Sequence, residues 1–215
     1  MERFAGIWFS VTLPNYPKLK GGRNMANKST DVCPYQRAWT LDNWVRRLLQ
    51  NPYKIVRDYI KEGQVVLDLG CGPGFFSLEM AKLVGEKGKV ISVDIQDEML
   101  QILKNKSELK ELNSRIVLHK AQPEKLGISE MVDFALAFYM VHEVPDKKSF
   151  LGEVASHLKP EGRFLIVEPK FHVSKSDFES TLEVARSVGL KQVSKPGISF
   201  DRAVLLKPGF SGEAA

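Results

Sequence analysis

The stretch V65-V-L-D-L-G-C-G-P-G-F-F76 decides the fold. Five residues that are apolar apart from Asp68 run into three glycines spaced two apart, Gly70, Gly72 and Gly74. An apolar run of this length bounded by glycine reads as a buried strand ending in a tight turn. The segments around it repeat the theme. GKVISVDI, RIVLHKA, MVDFALAFYMV and GRFLIVEP read as four further strands. GFFSLEMAKLVG, DEMLQILKNKSEL, DKKSFLGEVASHLK and SKSDFESTLEVARSVG read as helices between or after them, and KQVSKPGISFDRAVLLKP as a closing antiparallel hairpin. Strand alternating with helix implies a mostly parallel sheet covered on both faces, an α/β Rossmann-like three-layer sandwich. Ligands in such sheets sit at the carboxyl ends of the strands, where strand order reverses. The glycine turn is therefore the expected site.

Three ligand classes compete for that turn. A P-loop needs GxxxxGK[ST], and no lysine with a following hydroxyl stands in register here. The dinucleotide fingerprint GxGxxG needs a third glycine where this chain has Phe75. Asp68 also argues against a phosphate, because like charges in a partly dry site repel. A cationic ligand end suits it better. S-adenosylmethionine carries a sulfonium beside an ammonium group, which Asp68 would balance. The glycines would let the backbone approach the methionine portion. A helix starting near Pro73 would offer N–H groups to its carboxylate. Asp94 ends the second strand and is placed to accept the ribose hydroxyls, in an adenosylmethionine or a nicotinamide site alike. The competing role for Asp94 is a cap on the helix that follows.

VLDLGCGPG together with VISVDI resembles the class I S-adenosylmethionine-dependent methyltransferases, and the resemblance extends from about Thr40 to Pro208. The small-molecule group, with its ubiquinone/menaquinone C-methyltransferases and arsenite methyltransferases, is the most similar. The resemblance implies a seven-stranded sheet of order 3-2-1-4-5-7-6. It implies that Asp68, Gly70, Cys71, Gly72 and Gly74 line the methionine moiety, that Asp94 holds the ribose and that Ile95 packs on the adenine. Ala121 and Gln122 would reach the adenine edge. Relatives often have aspartate at the position of Gln122, whose side-chain carbonyl supplies an equivalent acceptor. Phe138 and Tyr139 would flank the sulfonium. The segment Asp31–Arg47 would lid the cofactor, with Tyr35 and Trp39 in the acceptor pocket. Arsenite chemistry needs several cysteines, and outside the glycine turn this chain has only Cys33.

Methyl transfer from a sulfonium mostly requires positioning of the nucleophile, and a base only where the acceptor sheds a proton. Candidates gather in F138-Y-M-V-H-E-V-P-D146. Tyr139 and His142 are the catalytic candidates and Glu143 a pocket residue, the alternative being that His142 and Glu143 pack or cap the loop. His172 is a lesser candidate for the same pocket. No NPPY-type loop follows the fourth strand, which disfavours methylation of amino groups on protein or nucleic-acid bases. Two cysteines and four scattered histidines make no metal set.

The bulk numbers agree with one domain. The chain has 215 residues, 43% hydrophobic and 27% charged, with a net charge of +5. Residues 1–62 carry eleven Lys and Arg against five Asp and Glu, and the remainder carries twenty against twenty-one. The body is balanced, so nucleic acid is a weak expectation. Two cysteines suit a cytoplasmic protein, and no run approaches the ~20 apolar residues of a membrane helix. The divisions expected are a leader over 1–24, a lid with helices over 25–61 (the last from about Pro52 to Ile60), the core over 62–208 and a tail over 209–215. The leader reads as loop or disorder. KGGRNM can be encoded by a purine-rich run just upstream of a start codon for Met25, so natural initiation at Met25 is an expectation. Three other readings stay open from the sequence: an RNA or protein methyltransferase, a non-catalytic adenosylmethionine-binding protein, and a nicotinamide oxidoreductase. The oligomeric state has no signal.

Overall fold

A computed structural model of the protein describes residues 50–198 and 200–209. The expectations for the leader, the tail, Cys33, Tyr35, Trp39 and most of the lid lie outside these residues. Helices are numbered from the first described one. The order is α1 (Pro52–Val56), β1 (Val65–Leu69), α2 (Ser77–Leu83), β2 (Lys89–Asp94), α3 (Asp97–Leu109), β3 (Ile116–Lys120), β4 (Val132–Phe138), α4 (Lys147–His157), β5 (Leu158–Pro169), α5 (Lys175–Ser187), β6 (Leu190–Ser194) and β7 (Asp201–Pro208). The strands form one sheet of order β3-β2-β1-β4-β5-β7-β6. The first five are parallel, and β7 runs antiparallel to both β5 and β6. This is the expected architecture.

Period-two alternation along the strands builds two cores. Leu67, Leu69, Ile91, Ala135, Phe164 and Val204 face α4 and α5, where Leu151, Val154, Phe178 and Leu182 meet them. Val66, Val90, Phe134, Leu136, Leu165 and Leu205 face α1, α2 and α3, where Val56, Leu78, Met80 and Leu103 meet them. Each fully buried Leu or Phe contributes about 1.5–3 kcal/mol. Three helices are started by side chains: Asn51 accepts from the Lys54 N–H (3.1 Å), Asp146 from the Ser149 N–H (2.9 Å) and Ser174 from the Asp177 N–H (3.1 Å).

Several boundaries differ from expectation. Regular helix begins at Ser77, not near Pro73, because Gly72–Phe76 is a turn that buries Phe75 and Phe76. Gly74 lies at φ +88°, a region that excludes most L side chains, and a Cβ there would stand 2.4 Å from Leu103 Cδ1. The helix before the core stops at Val56, followed by turns. β4 stops at Phe138, where Tyr139 turns the chain at φ +63°. β5 extends back to Leu158 and takes in the Pro160–Gly162 turn. Among the described residues no helix is long and apolar enough to cross a membrane.

Candidate active site

Strand order reverses between β1 and β4. A cavity of about 240 Å³ opens at the carboxyl ends of β1, β2 and β4. The turn after β1 supplies Gly70, Cys71 and Gly72 to it, and Asp68 lies at its base. β2 contributes Asp94 and the adjoining Ile95, and the segment after β3 contributes Ala121 and Gln122. Phe138, Tyr139 and Glu143 come from the end of β4 and the loop beyond it. The fold thus gathers these eleven expected residues. Gly74 shapes the turn without lining the cavity, and His142 stands outside it.

Asp68 is 2% exposed and shares its face of the sheet with Ser92, its register partner in β2. Its Oδ2 accepts the Ser77 hydroxyl proton at 2.5 Å, and Ser92 Oγ donates to Ser77 Oγ at 2.9 Å. A buried carboxylate needs such donors. Asp68 is thus held in place by the start of α2 and by β2. Asp94 does not cap the following helix, whose N-cap is Gln96; its two oxygens take backbone N–H groups instead. Its Oδ2 accepts the Gly72 N–H and its Oδ1 the Gln96 N–H, each at 2.9 Å. The first bond ties the glycine turn to β2, and the second steadies the residue before α3. A carboxylate has about four acceptor positions, and the N–H groups of Gln96, Gly72 and Ile95 do not exhaust them, so a ligand hydroxyl would still find an acceptor there. Burial raises the Asp94 pKa, and the N–H bonds oppose that rise. Ile95, 39% exposed, presents an apolar face beside it. Burial, then the charges of Asp68 and Asp94, push the Cys71 thiol well above its ordinary range. Cys71 is a packing residue at this rim, without thiolate reactivity.

The other rim is built from β4, β5 and β7. Phe138 packs between Phe76 and Tyr139, with centroids at 4.6 and 4.4 Å. The Tyr139 hydroxyl donates to Asp201 Oδ1 and accepts from Gln50 Nε2, so its polar end is engaged at the start of β7. Tyr139 lines the cavity while its hydroxyl is held by these partners. His142 is bound twice by the buried Glu168. Its N–H donates to Glu168 Oε1 (3.1 Å), and its Nδ1 meets Oε2 at 2.6 Å. That hydrogen bond is the main reason the His142 pKa is raised; burial opposes it. The exposed His172 packs edge-on against His142 at 4.8 Å, and is no part of the cavity. Ser77, Glu168 and Asp201 were not singled out from the sequence. A carboxylate on a fully buried strand demands nearby donors, which would have pointed to Ser77. Glu168 and Asp201 had only their place near strand ends as a signal.

The glycine cradle, the anchored Asp94 and the apolar Ile95 fit S-adenosylmethionine. Asp68, Cys71 and Gly72 would hold its methionine end, Asp94 its ribose, and Ile95, Ala121 and Gln122 its adenine. When bound, it supplies an electrophilic methyl group.

Comparison with known proteins agrees. The methyltransferase-domain family matches residues 60–195, more than half of the chain. A demethylmenaquinone methyltransferase of Oceanobacillus iheyensis is 30% identical over 109 residues, 51% of this chain and 46% of that protein. The match thus spans about half the length of that relative. A crystal structure of an S-adenosylmethionine-dependent methyltransferase from Aquifex aeolicus superposes with a TM-score of 0.73 at 26% identity, over 81% of this chain and 98% of that one. An arsenic(III) S-adenosylmethionine methyltransferase from Chlamydomonas reinhardtii shares the fold at 24% identity, with a TM-score of 0.53 over 67% of this chain and 62% of that one. With the strand order, the reversal-point cavity and the Asp68–Gly74 and Asp94 pair already in place, the chain belongs to the methyltransferase-domain family, of the class I, S-adenosylmethionine-dependent kind.

Proposed function

We propose that the protein transfers the methyl group of S-adenosylmethionine to a small-molecule acceptor by in-line displacement. The observation that carries this reading is Asp94. Backbone N–H groups hold both of its oxygens at the cavity wall, beside a glycine turn whose neighbouring charge, Asp68, suits a cation rather than a phosphate. Ile95, Ala121 and Gln122 would fix the adenosine, and Phe138 and the Tyr139 ring would exclude water around the sulfonium. The acceptor would approach from the side of Tyr139 and Glu143. The name of the curated relatives makes a quinol the first acceptor class to try. The buried free thiol of Cys71 suits a reducing compartment, and we place the protein in the cytoplasm.

Isothermal titration with S-adenosylmethionine, S-adenosylhomocysteine and NAD tests the cofactor. Binding of the first two and not the third is expected. NAD binding without adenosylmethionine binding would overturn the reading. Incubation with labelled S-adenosylmethionine and host metabolite extract, followed by identification of the labelled product, would name the acceptor.

A further inference from the structure

Behind the acceptor side of the cavity stands a cluster of ionisable groups that cofactor binding does not use. Glu143 lines the cavity. His142 Nε2 lies 4.0 Å from Glu143 Oε1, while its Nδ1 is fixed on Glu168. The Glu168 side chain is 3% exposed, against 19% for His142 and 22% for Glu143. The ring of the exposed His172 packs on His142. One end of this series touches the cavity and the other touches water. Glu168 fixes the ring plane and the tautomer of His142, and so turns Nε2 toward Glu143.

We propose that Glu143, His142 and Glu168 form a proton relay out of the cavity, so that the acceptor is one that sheds a proton when methylated: a hydroxyl, a thiol or an acidic carbon. This rests on the methyl-transfer reading above. The acceptor's X–H bond breaks and its proton goes to the Glu143 carboxylate. The freed electron pair forms the X–CH3 bond, and the sulfur–methyl bond breaks with its pair kept by sulfur. Glu143 passes the proton to His142 Nε2, and water beside His172 receives it. The 4.0 Å gap between Nε2 and Oε1 suits one bridging water or a small rotation on binding. Glu143 is the catalytic group, and His142 and Glu168 act through it.

Charged groups face His142 from each neighbouring element. Glu168 lies on β5, Glu143 on its own turn and Lys147 on α4; the first two raise its pKa and Lys147 lowers it. Arg202 on β7 stands opposite Glu168 in the strand register. The relay needs His142 neutral, so turnover climbs as pH rises through a His142 pKa above 6.5.

The decisive test needs no acceptor. The His142 ring is followed by NMR from pH 5 to 9 in the full chain. Glu143→Gln should lower its pKa by about 0.7, the size of a charge pair at 4 Å in water-like surroundings. Glu168→Gln, which keeps the shape of the site, should lower it further. A His142 titration unmoved by Glu143→Gln overturns the relay. Kinetics supply a second arm, with S-adenosylmethionine and 1,4-naphthohydroquinone as the protic probe. There Glu143→Gln should reduce kcat on the order of 100-fold with little change in KM, and Glu168→Gln should move the rising limb of the pH profile to lower pH. Arsenite attacks through a lone pair and sheds no proton from arsenic. Methylation of arsenite should therefore be untouched by Glu143→Gln, and a loss there equal to that with the hydroquinone would overturn the relay. Failure of the unaltered chain to bind S-adenosylmethionine would instead sink the methyl-transfer reading.

Discussion

The two rims of the cavity are held together by different kinds of partner. On the β1–β2 rim, Asp94 grips backbone N–H groups and Asp68 grips a serine at the head of the next helix. These partners lie 22, 9 and 2 residues away. On the β4–β5–β7 rim, carboxylates grip ionisable or phenolic side chains. Glu168 holds His142 across 26 residues, and Asp201 holds Tyr139 across 62. Backbone donors are fixed by the fold itself and lose nothing when neighbouring side chains change. Side-chain partners can be exchanged without disturbing the sheet. The first arrangement suits a ligand that never changes, and the second a ligand that varies from one enzyme to the next.

Substitutions at each rim can break this distinction. Gly74→Ala should have the largest effect, because the new Cβ meets the fully buried Leu103 at 2.4 Å with φ at +88°. A loss of roughly 2–4 kcal/mol of stability is expected in urea denaturation, from overpacking together with left-handed strain. Wild-type stability there would mean that the turn is softer than the first rim requires. Asp94→Ala should follow, weakening S-adenosylmethionine binding by about 1.5–3 kcal/mol in calorimetry. In the wild type, ribose is accepted by the ionised carboxylate. Burial raises its pKa, so affinity should start to fall with acidification already above pH 3.8. Unaltered affinity in the variant would remove Asp94 from the site. Tyr139→Phe should be mildest, costing about 1 kcal/mol of stability for the lost phenol–Asp201 bond. Its adenosylmethionine affinity should stay unchanged. A large loss of affinity would show that the rims are one coupled unit.

The same contrast explains what could be read from the chain in advance. The first five strands were visible as apolar runs, the last two as a closing hairpin, and the helices as patterned segments between glycines and prolines. The first rim was legible because its residues sit within one turn and at the end of one strand. Asp68 was singled out as anomalous, yet its hydroxyl partner Ser77, and Ser92 bonded behind Ser77, were not foreseen. The start of α2 was misplaced because Pro73 looks like the first helical residue, whereas burial of Phe75 and Phe76 holds the segment as a turn. At the second rim, His142 and Tyr139 were noticed as chemistry-bearing types. What they face is set by β5 and β7, whose pairing brings Glu168 and Asp201 to the same edge. No local spacing encodes that encounter.

The position of β7 has a consequence for synthesis. It inserts between β5 and β6, so during translation β5 has no neighbour on that side until nearly forty residues later (Pro169 to Pro208). Meanwhile Phe164–Val167 presents a bare apolar edge, the kind that recruits foreign strands. The nascent chain is therefore most vulnerable to aggregation after the first rim is complete and before the second exists. A half-made molecule would already carry the glycine turn and Asp94. The ligand that stabilises them would then act on the growing chain as a folding aid.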